Sequence, residues 1–411
     1  MVTRRKTEPL VNGGLPPVSA FQRLSRTHSL MVAGETAMAL ALADSLFLSI
    51  SPDAARTKVI LFLAVSMAPF AIVAPFVGPL VDRMRGGQRM VVLMVAILRA
   101  FVLIGMMKSL DSLTLFPLAF ASLVLAKTYS IAKSSLVPTT VVGSDGLVEA
   151  NSKLGQIAGI TGFVVVVPVG LLQFISSQAA LGFGVIAFLA AALNANRLPK
   201  SVVATTPADA LETEELHSAG VVAAANAMRV LRGIVGFMFF HLAFWLRREI
   251  AGTAWFGLAI GLSSLATLGA NFAGPYLRKK MQVQTMLLCS LVSVGVVGLG
   301  SAWYGQITGG IVLAAVVNAA AAIGRLAFEA TVQSGAPDAN RGRAFSRFET
   351  QNQMAWVAGG LLPVVFAPAG WVGFVIVGVV GIAGAVLYVR TRGTTIGFRG
   401  GRATDRARRS R

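Results

Sequence analysis

Little in this chain suits a soluble protein or an enzyme. Charged residues make up only 13% of its 411 residues, against 55% hydrophobic, and the mean hydropathy is +0.72. A soluble domain needs more polar surface than that. The single cysteine, Cys289, rules out an intrachain disulfide, and its place in an apolar run reads as a small buried hydrophobe. No Gly-x-x-x-x-Gly-Lys-Ser/Thr phosphate loop is present, so nothing supports an ATP-driven pump. No His-Glu-x-x-His or cysteine pair supports a metal-dependent membrane protease. No nucleophile–base pair is legible, so the chain reads as a non-enzyme without metal or cofactor.

What is present are long apolar runs. The 43 glycines suit close-packed membrane helices, and the runs are uninterrupted rather than alternating, which excludes an outer-membrane barrel. Six runs come first, near residues 30–50, 59–81, 90–107, 113–132, 154–175 and 179–195. Ala41-Leu42-Ala43 has the look of a signal-peptidase site, but that leader would be overlong and the run is long enough to span. Six more runs follow near 230–246, 255–277, 283–303, 308–332, 346–367 and 370–389. The reading is an all-α integral membrane protein of twelve helices. It divides into a tail at 1–28, a first half at 29–195, a linker at 196–229, a second half at 230–389 and a basic tail at 390–411.

The formal net charge of +19 tempts one toward nucleic acid, but the basic residues cluster in the tails and in alternate loops. With the N-terminus inside, the inner segments hold 27 of the 36 Lys and Arg, the outer loops 5, and the runs themselves 4. That asymmetry places both termini in the cytoplasm.

The halves repeat. Ala74-Pro75-Phe76-Val77-Gly78-Pro79-Leu80 matches Ala270-Asn271-Phe272-Ala273-Gly274-Pro275-Tyr276, and Lys127 and Arg325 sit at nearly the same spacing late in the fourth run of each half. Two similar six-helix halves are the building plan of alternating-access transporters.

At this point the chain resembles the major facilitator superfamily. The inner hairpin after the second run carries Gly78, Asp82 and Arg83 of the family's Gly-x-x-x-Asp-Arg-x-Gly-Arg-Arg pattern. Its ending, Arg85-Gly86-Gly87-Gln88-Arg89, departs from the pattern, with Arg89 standing for the second basic position. Ser135-Leu136-Val137-Pro138 with Ala150-Asn151, and Arg341-Gly342-Arg343-Ala344-Phe345, are similar to segments of the bacterial efflux branch. The resemblance implies two pseudo-repeated halves in a bacterial plasma membrane, and a cytoplasmic charge cluster at Gly78, Asp82, Arg83 and Arg89 that latches the inner face. It also implies proton-coupled export of a small amphipathic or drug-like substrate by a monomer. Import by proton symport, or a transport-inactive scaffold or sensor, are the alternatives.

Ionisable groups at membrane depth are costly, so each is a functional candidate. Glu35 and Asp44 lie in the first run, on roughly opposite faces of a helix, and Asp44 is the first choice for the acid that takes a proton. Arg99 in the third run needs a carboxylate, and the acids of the first run are the partners at hand. Lys127 resembles the basic residue that exporters carry on the fourth helix, while Lys133 reads as snorkelling to the inner surface. Arg325 and Glu329, four apart on one helical face, neutralise each other or form a pair at a cavity edge. Arg347 and Glu349 read as interfacial. His241, among Phe237, Phe240 and Phe244, reads as a packing residue before a proton relay. Gly155, Gly159, Gly162 and Pro168 in the fifth run read equally as a loose echo of the exporters' glycine-rich motif and as ordinary close packing.

Overall fold

The computed structural model describes residues 19–43, 87–110, 112, 114–141, 145–199, 219–246, 249–250, 252–335 and 341–409. Within them the chain forms long α-helices and no strand, which is how a backbone in hydrocarbon satisfies its own hydrogen bonds. The helices are α1 (Ala20–Ala43), α2 (Gly87–Met107), α3 (Leu115–Leu136), α4 (Asp145–Ile175), α5 (Ser177–Ala195), α6 (Ala219–Trp245), α7 (Gly252–Lys280), α8 (Val283–Tyr304), α9 (Ile307–Gly335), α10 (Arg341–Phe366) and α11 (Gly370–Arg409). The second apolar run, the hairpin with Gly78, Asp82 and Arg83, and Asp44 lie outside the described residues.

Local chemistry sets several helix ends. Ser176 caps α5, its hydroxyl accepting from the Ala179 N–H at 3.0 Å. Gly305 stops α8 in the left-handed region, φ 67°, where a side chain would be strained. Pro168 and Pro363 stay inside α4 and α10, as membrane helices tolerate when neighbours re-satisfy the freed groups.

Eight of these helices are long and apolar enough to cross a membrane. The three that are not, α1, α3 and α10, carry Glu35, Lys127, Lys133 and Glu349. Their lower hydropathy therefore marks helices that turn polar groups inward rather than helices that stay out of the bilayer. Large apolar side chains cover the outside. Phe174 is 90% exposed and Trp303 93%, surface that only lipid suits. Cys289 belongs to that surface too: it is exposed, not buried as its apolar neighbours imply, because α8 shows lipid an apolar face.

The helices fall into two sets with the same plan. In the first, α1 packs on α4 and α5, and α2 on α3 and α5; in the second, α6 packs on α10 and α11, and α8 on α9 and α11. Counted by apolar run, these are the same pairings shifted by six. This is the two-fold repetition of the major facilitator layout.

Close approach inside a set is made by glycine. A Cβ at Gly298 in α8 would stand 2.7 Å from Gly378 Cα in α11, and one at Gly381 would stand 2.7 Å from Gly295 N. Gly236 of α6 meets the Trp356 carbonyl of α10 in the same way. In lipid, where burial adds no hydrophobic drive, such contact carries the association.

Three helices start well before the apolar runs they contain. α1 begins at Ala20, α4 at Asp145 and α6 at Ala219, each well before the run it contains. Residues 20–28 and 219–229, read as tail and linker, are thus helical, and Leu24, Thr27 and His28 are buried.

Candidate functional site

The two sets meet where α4 touches α7 and α9, and α3 touches α9 and α10. Gly155 and Gly159 of α4 lie against Asn271 and Leu268 of α7, and Gly274 of α7 against Ser152. Two of the glycines singled out on α4, Gly155 and Gly159, therefore serve the seam between the sets, while Gly162 faces Thr36 of α1. Across this seam the contacts are polar. Gln156 Nε2 donates to the Asn271 carbonyl at 3.0 Å, and the Ser152 hydroxyl donates to the same oxygen. Asn151 Nδ2 donates to Gln333 Oε1 at 2.7 Å, while Gln333 Nε2 donates to the Ser134 carbonyl at 3.0 Å. Lys127 of α3 and Glu349 of α10 form an ion pair at 3.0 Å.

These contacts gather within about three turns of one end of the bundle, the end where α3, α7 and α9 finish and α4 and α10 begin. The same end carries Arg278, Lys279 and Lys280 in the last turn of α7. Arg89, at the start of α2, joins a cluster of arginines there with Arg23, Arg26 and Arg197.

Against the seam lies a cleft shared by both sets and lined in part by the seam residues Asn151, Gly155 and Asn271. Lys133 and Arg232 face into it, with His28 from α1 and the pair Arg325–Glu329 from α9. Arg325 Nε and Glu329 Oε1 are 2.8 Å apart, one turn apart on the helix, so this pair neutralises itself as its spacing predicts. A second cavity adjoins it, lined by Lys127, Glu349, Arg232, Arg325 and Glu329. His28 Nδ1 lies 3.0 Å from the Tyr129 hydroxyl, and their rings stack at 5.9 Å.

A separate charge pair is internal to the first set. Arg99 of α2 is fully buried and its Nη1 donates to Glu35 Oε2 of α1 at 3.3 Å. Its guanidinium sits 4.4 Å from the Phe188 ring centroid in α5. Arg99 Nε and Nη2 find no partner among the described residues. Glu35 is 49% exposed, so it joins a buried cation to open space.

Several sequence expectations meet these positions directly. Arg99 has its carboxylate in the first run, and Arg325 pairs with Glu329. His241 is buried, with Nε2 3.2 Å from the Gly370 carbonyl and its ring stacked 5.5 Å from Phe237, as a packing residue would be. The structure adds to one expectation and corrects another. Glu349, read as interfacial, is the partner of Lys127, two turns after α10 starts at Arg341. Lys133, read as snorkelling to the inner surface, instead lines the cleft with His28 of α1 and Arg325 of α9. Arg232, His28 and Gln333 were not singled out. Arg232 counted among linker charges and His28 among tail residues, and the apolar stretch from Val221 to Ala225 was the signal that the helix started earlier. No cluster of His, Cys, Asp and Glu able to hold a metal occurs among the described residues.

No family model matches the chain. A Mycobacterium leprae protein described as uncharacterized is 28% identical over 409 residues, which span 90% of this chain and 69% of that protein. A bacterial homologue of the iron transporter ferroportin, solved in an outward-facing state, superposes with a TM-score of 0.71 at 17% identity. The match covers 91% of this chain and 99% of that one. FucP, a Major Facilitator Superfamily transporter in the outward conformation, gives 0.65 at 13% identity, covering 90% and 97%. The chain has the major facilitator fold: two repeated helical halves with a polar seam and an inner cleft.

Proposed function

We propose that this protein is a secondary active transporter that works by alternating access, exporting small amphipathic molecules in exchange for protons across a bacterial plasma membrane. The observation that carries this reading is the seam itself. Within each half some helices meet backbone to backbone through glycine, as α8 does with α11 and α6 with α10, whereas the halves are joined near one end by polar side chains and the Lys127–Glu349 ion pair, with Gly155, Gly159 and Gly274 letting α4 and α7 approach. Such contacts can break and reform at small cost, and a cleft with ionised groups lies against them.

The basic end, by the excess of Lys and Arg, is the cytoplasmic end, with both termini there. The closed seam then corresponds to an outward-open state, in keeping with the outward-facing structures the chain resembles. The two halves rock about the cleft, the first from α1 at Ala20 and the second from α6 at Ala219, and the chain between α5 and α6 tethers them. The hairpin with Gly78, Asp82 and Arg83, together with Arg89, and the Lys127–Glu349 pair hold the inner face shut. Arg325 and Glu329 sit at the cavity edge. Protons act on Glu35 and Asp44. A proton on Glu35 removes the charge that holds Arg99, so protonation and the packing of α1 on α2 are linked. The protein acts as a monomer.

The test is a panel of toxic dyes and drugs offered to a host stripped of its own exporters. Expression of the wild type raises tolerance to at least one amphipathic compound. Everted vesicles release protons on its addition, and Glu35→Gln or Asp44→Asn lowers the rate of that release about tenfold or more. Accumulation of every compound, or release unchanged in both variants, contradicts the reading.

A further inference from the structure

The cleft between the halves is not electrically neutral. Lys127, Lys133, Arg232 and Arg325 line the two adjoining cavities, and only Glu329 and Glu349 oppose them. Both carboxylates are engaged, Glu329 by Arg325 and Glu349 by Lys127. Lys133 and Arg232 make no ion pair or hydrogen bond among the described residues. Two partly enclosed cations without an ion pair of their own are costly, and an anion entering the cleft relieves that cost. Arg232 on α6 and Lys133 on α3 belong to different halves, so a group bound between them touches both moving bodies. His28 is the other titratable side chain facing this space, and it already pairs with Tyr129.

The cationic cleft does not end there. Val235, Thr267 and Asn318 line it and also line a neighbouring pocket, so the two spaces adjoin. That pocket is apolar and aromatic: Phe239, Phe256 and Trp356 line it, and Phe239 meets Phe256 edge to face at 5.7 Å. A charged head beside an aromatic slot is a recognition pattern for a molecule with two unlike ends.

We propose that the transported molecule is an amphipathic anion, whose carboxylate, sulfonate or phosphate head docks between Lys133 and Arg232 while its apolar body lies against Phe239, Phe256 and Trp356. Arg232 supplies the planar fork that suits such a head, and Lys133 a compact charge opposite it. The inference rests on the transporter reading above and fixes the sign of the cargo's charge.

The experiment uses the full-length protein in nanodiscs and three probes, all below their micellar concentrations: octane-1-sulfonate, octyltrimethylammonium and the short ethanesulfonate. Binding is read by calorimetry. Octane-1-sulfonate binds about tenfold or more tighter than octyltrimethylammonium. Replacing both Lys133→Gln and Arg232→Gln removes that preference, while the single change Lys133→Arg keeps it and shows that the fold survives. Phe239→Ala weakens octane-1-sulfonate but leaves ethanesulfonate unchanged. Equal binding of the anion and the cation, or a preference that persists in the double variant, overturns the proposal. Counterflow in proteoliposomes separates it from the transporter reading. A sulfonate that binds through Lys133 and Arg232 but is not carried leaves the anion site standing and removes transport. Carriage of octyltrimethylammonium that does not need these two cations leaves transport standing and removes the anion.

Discussion

Helices α8 and α11 meet backbone to backbone through Gly295, Gly298, Gly378 and Gly381; helices α3 and α10 meet through the Lys127 and Glu349 side chains. The first contact lies within one half and the second between the halves. A glycine contact gains from dispersion at short range and has no alternative arrangement, so it holds its helices as one body. A side-chain ion pair at the edge of a cleft has an alternative, because each charge can turn to another partner or to water. The difference teaches which interfaces are fixed and which can open.

The largest expected effect comes from breaking the fixed kind. Gly298→Val forces a branched side chain against Gly378, and over-packing of this sort costs about 3 kcal/mol. Thermal unfolding of the purified variant shows a lower midpoint and less monodisperse protein. A variant as stable as the wild type would mean that α8 and α11 are not a rigid pair. Next in size is the charge pair inside the first half. Glu35→Gln keeps a polar partner for Arg99 and so preserves the fold, but lowers the rate of proton-linked transport about tenfold. The change is checked in everted vesicles against the wild type at equal protein.

A smaller effect follows from loosening the seam. Lys127→Gln removes a pair that is part-exposed on both sides, and the balance between closed and open seams moves by about 1 kcal/mol. Exchanging the charges, Lys127→Glu with Glu349→Lys, restores the balance if the two residues act on each other, which a double-mutant cycle measures. The smallest effect belongs to His241. Its hydrogen bond to the Gly370 carbonyl and its stacking are within one half, so His241→Gln leaves transport within about twofold at every pH tested. A lost pH dependence would instead make it part of the proton path.

The comparison also explains what could be read from the chain alone. Arg99 could be matched to the first run because a buried cation demands a carboxylate and few were available. Arg325 and Glu329 could be paired from their spacing. Lys127 and Glu349 could not, since they are 222 residues apart and only the fold brings them together. Three helix starts were misread in the same way. Hydropathy reports where lipid lies, while α1, α4 and α6 begin earlier, in polar residues beyond the hydrocarbon. His28 sits in those early turns and Arg232 just beyond them, and so these two residues of the cleft were counted with the tail and the linker. The order of the runs and the repeated plan of the halves hold among the described residues because they rest on apolar length and order, not on where each helix starts.

The central claim is that the seam opens while each half stays whole. The direct measurement places one spin label on each half at the basic end, at Lys153 in α4 and Lys279 in α7, in a Cys289→Ser background, and reads their separation by pulsed electron resonance in nanodiscs. A second label pair within one half, at Cys289 in α8 and Leu387 in α11, serves as the reference. The account predicts two populated separations for the seam pair, with Lys127→Gln favouring the longer one, and a single unchanged separation for the reference pair. One separation for the seam pair, identical in the wild type and the variant, would contradict it.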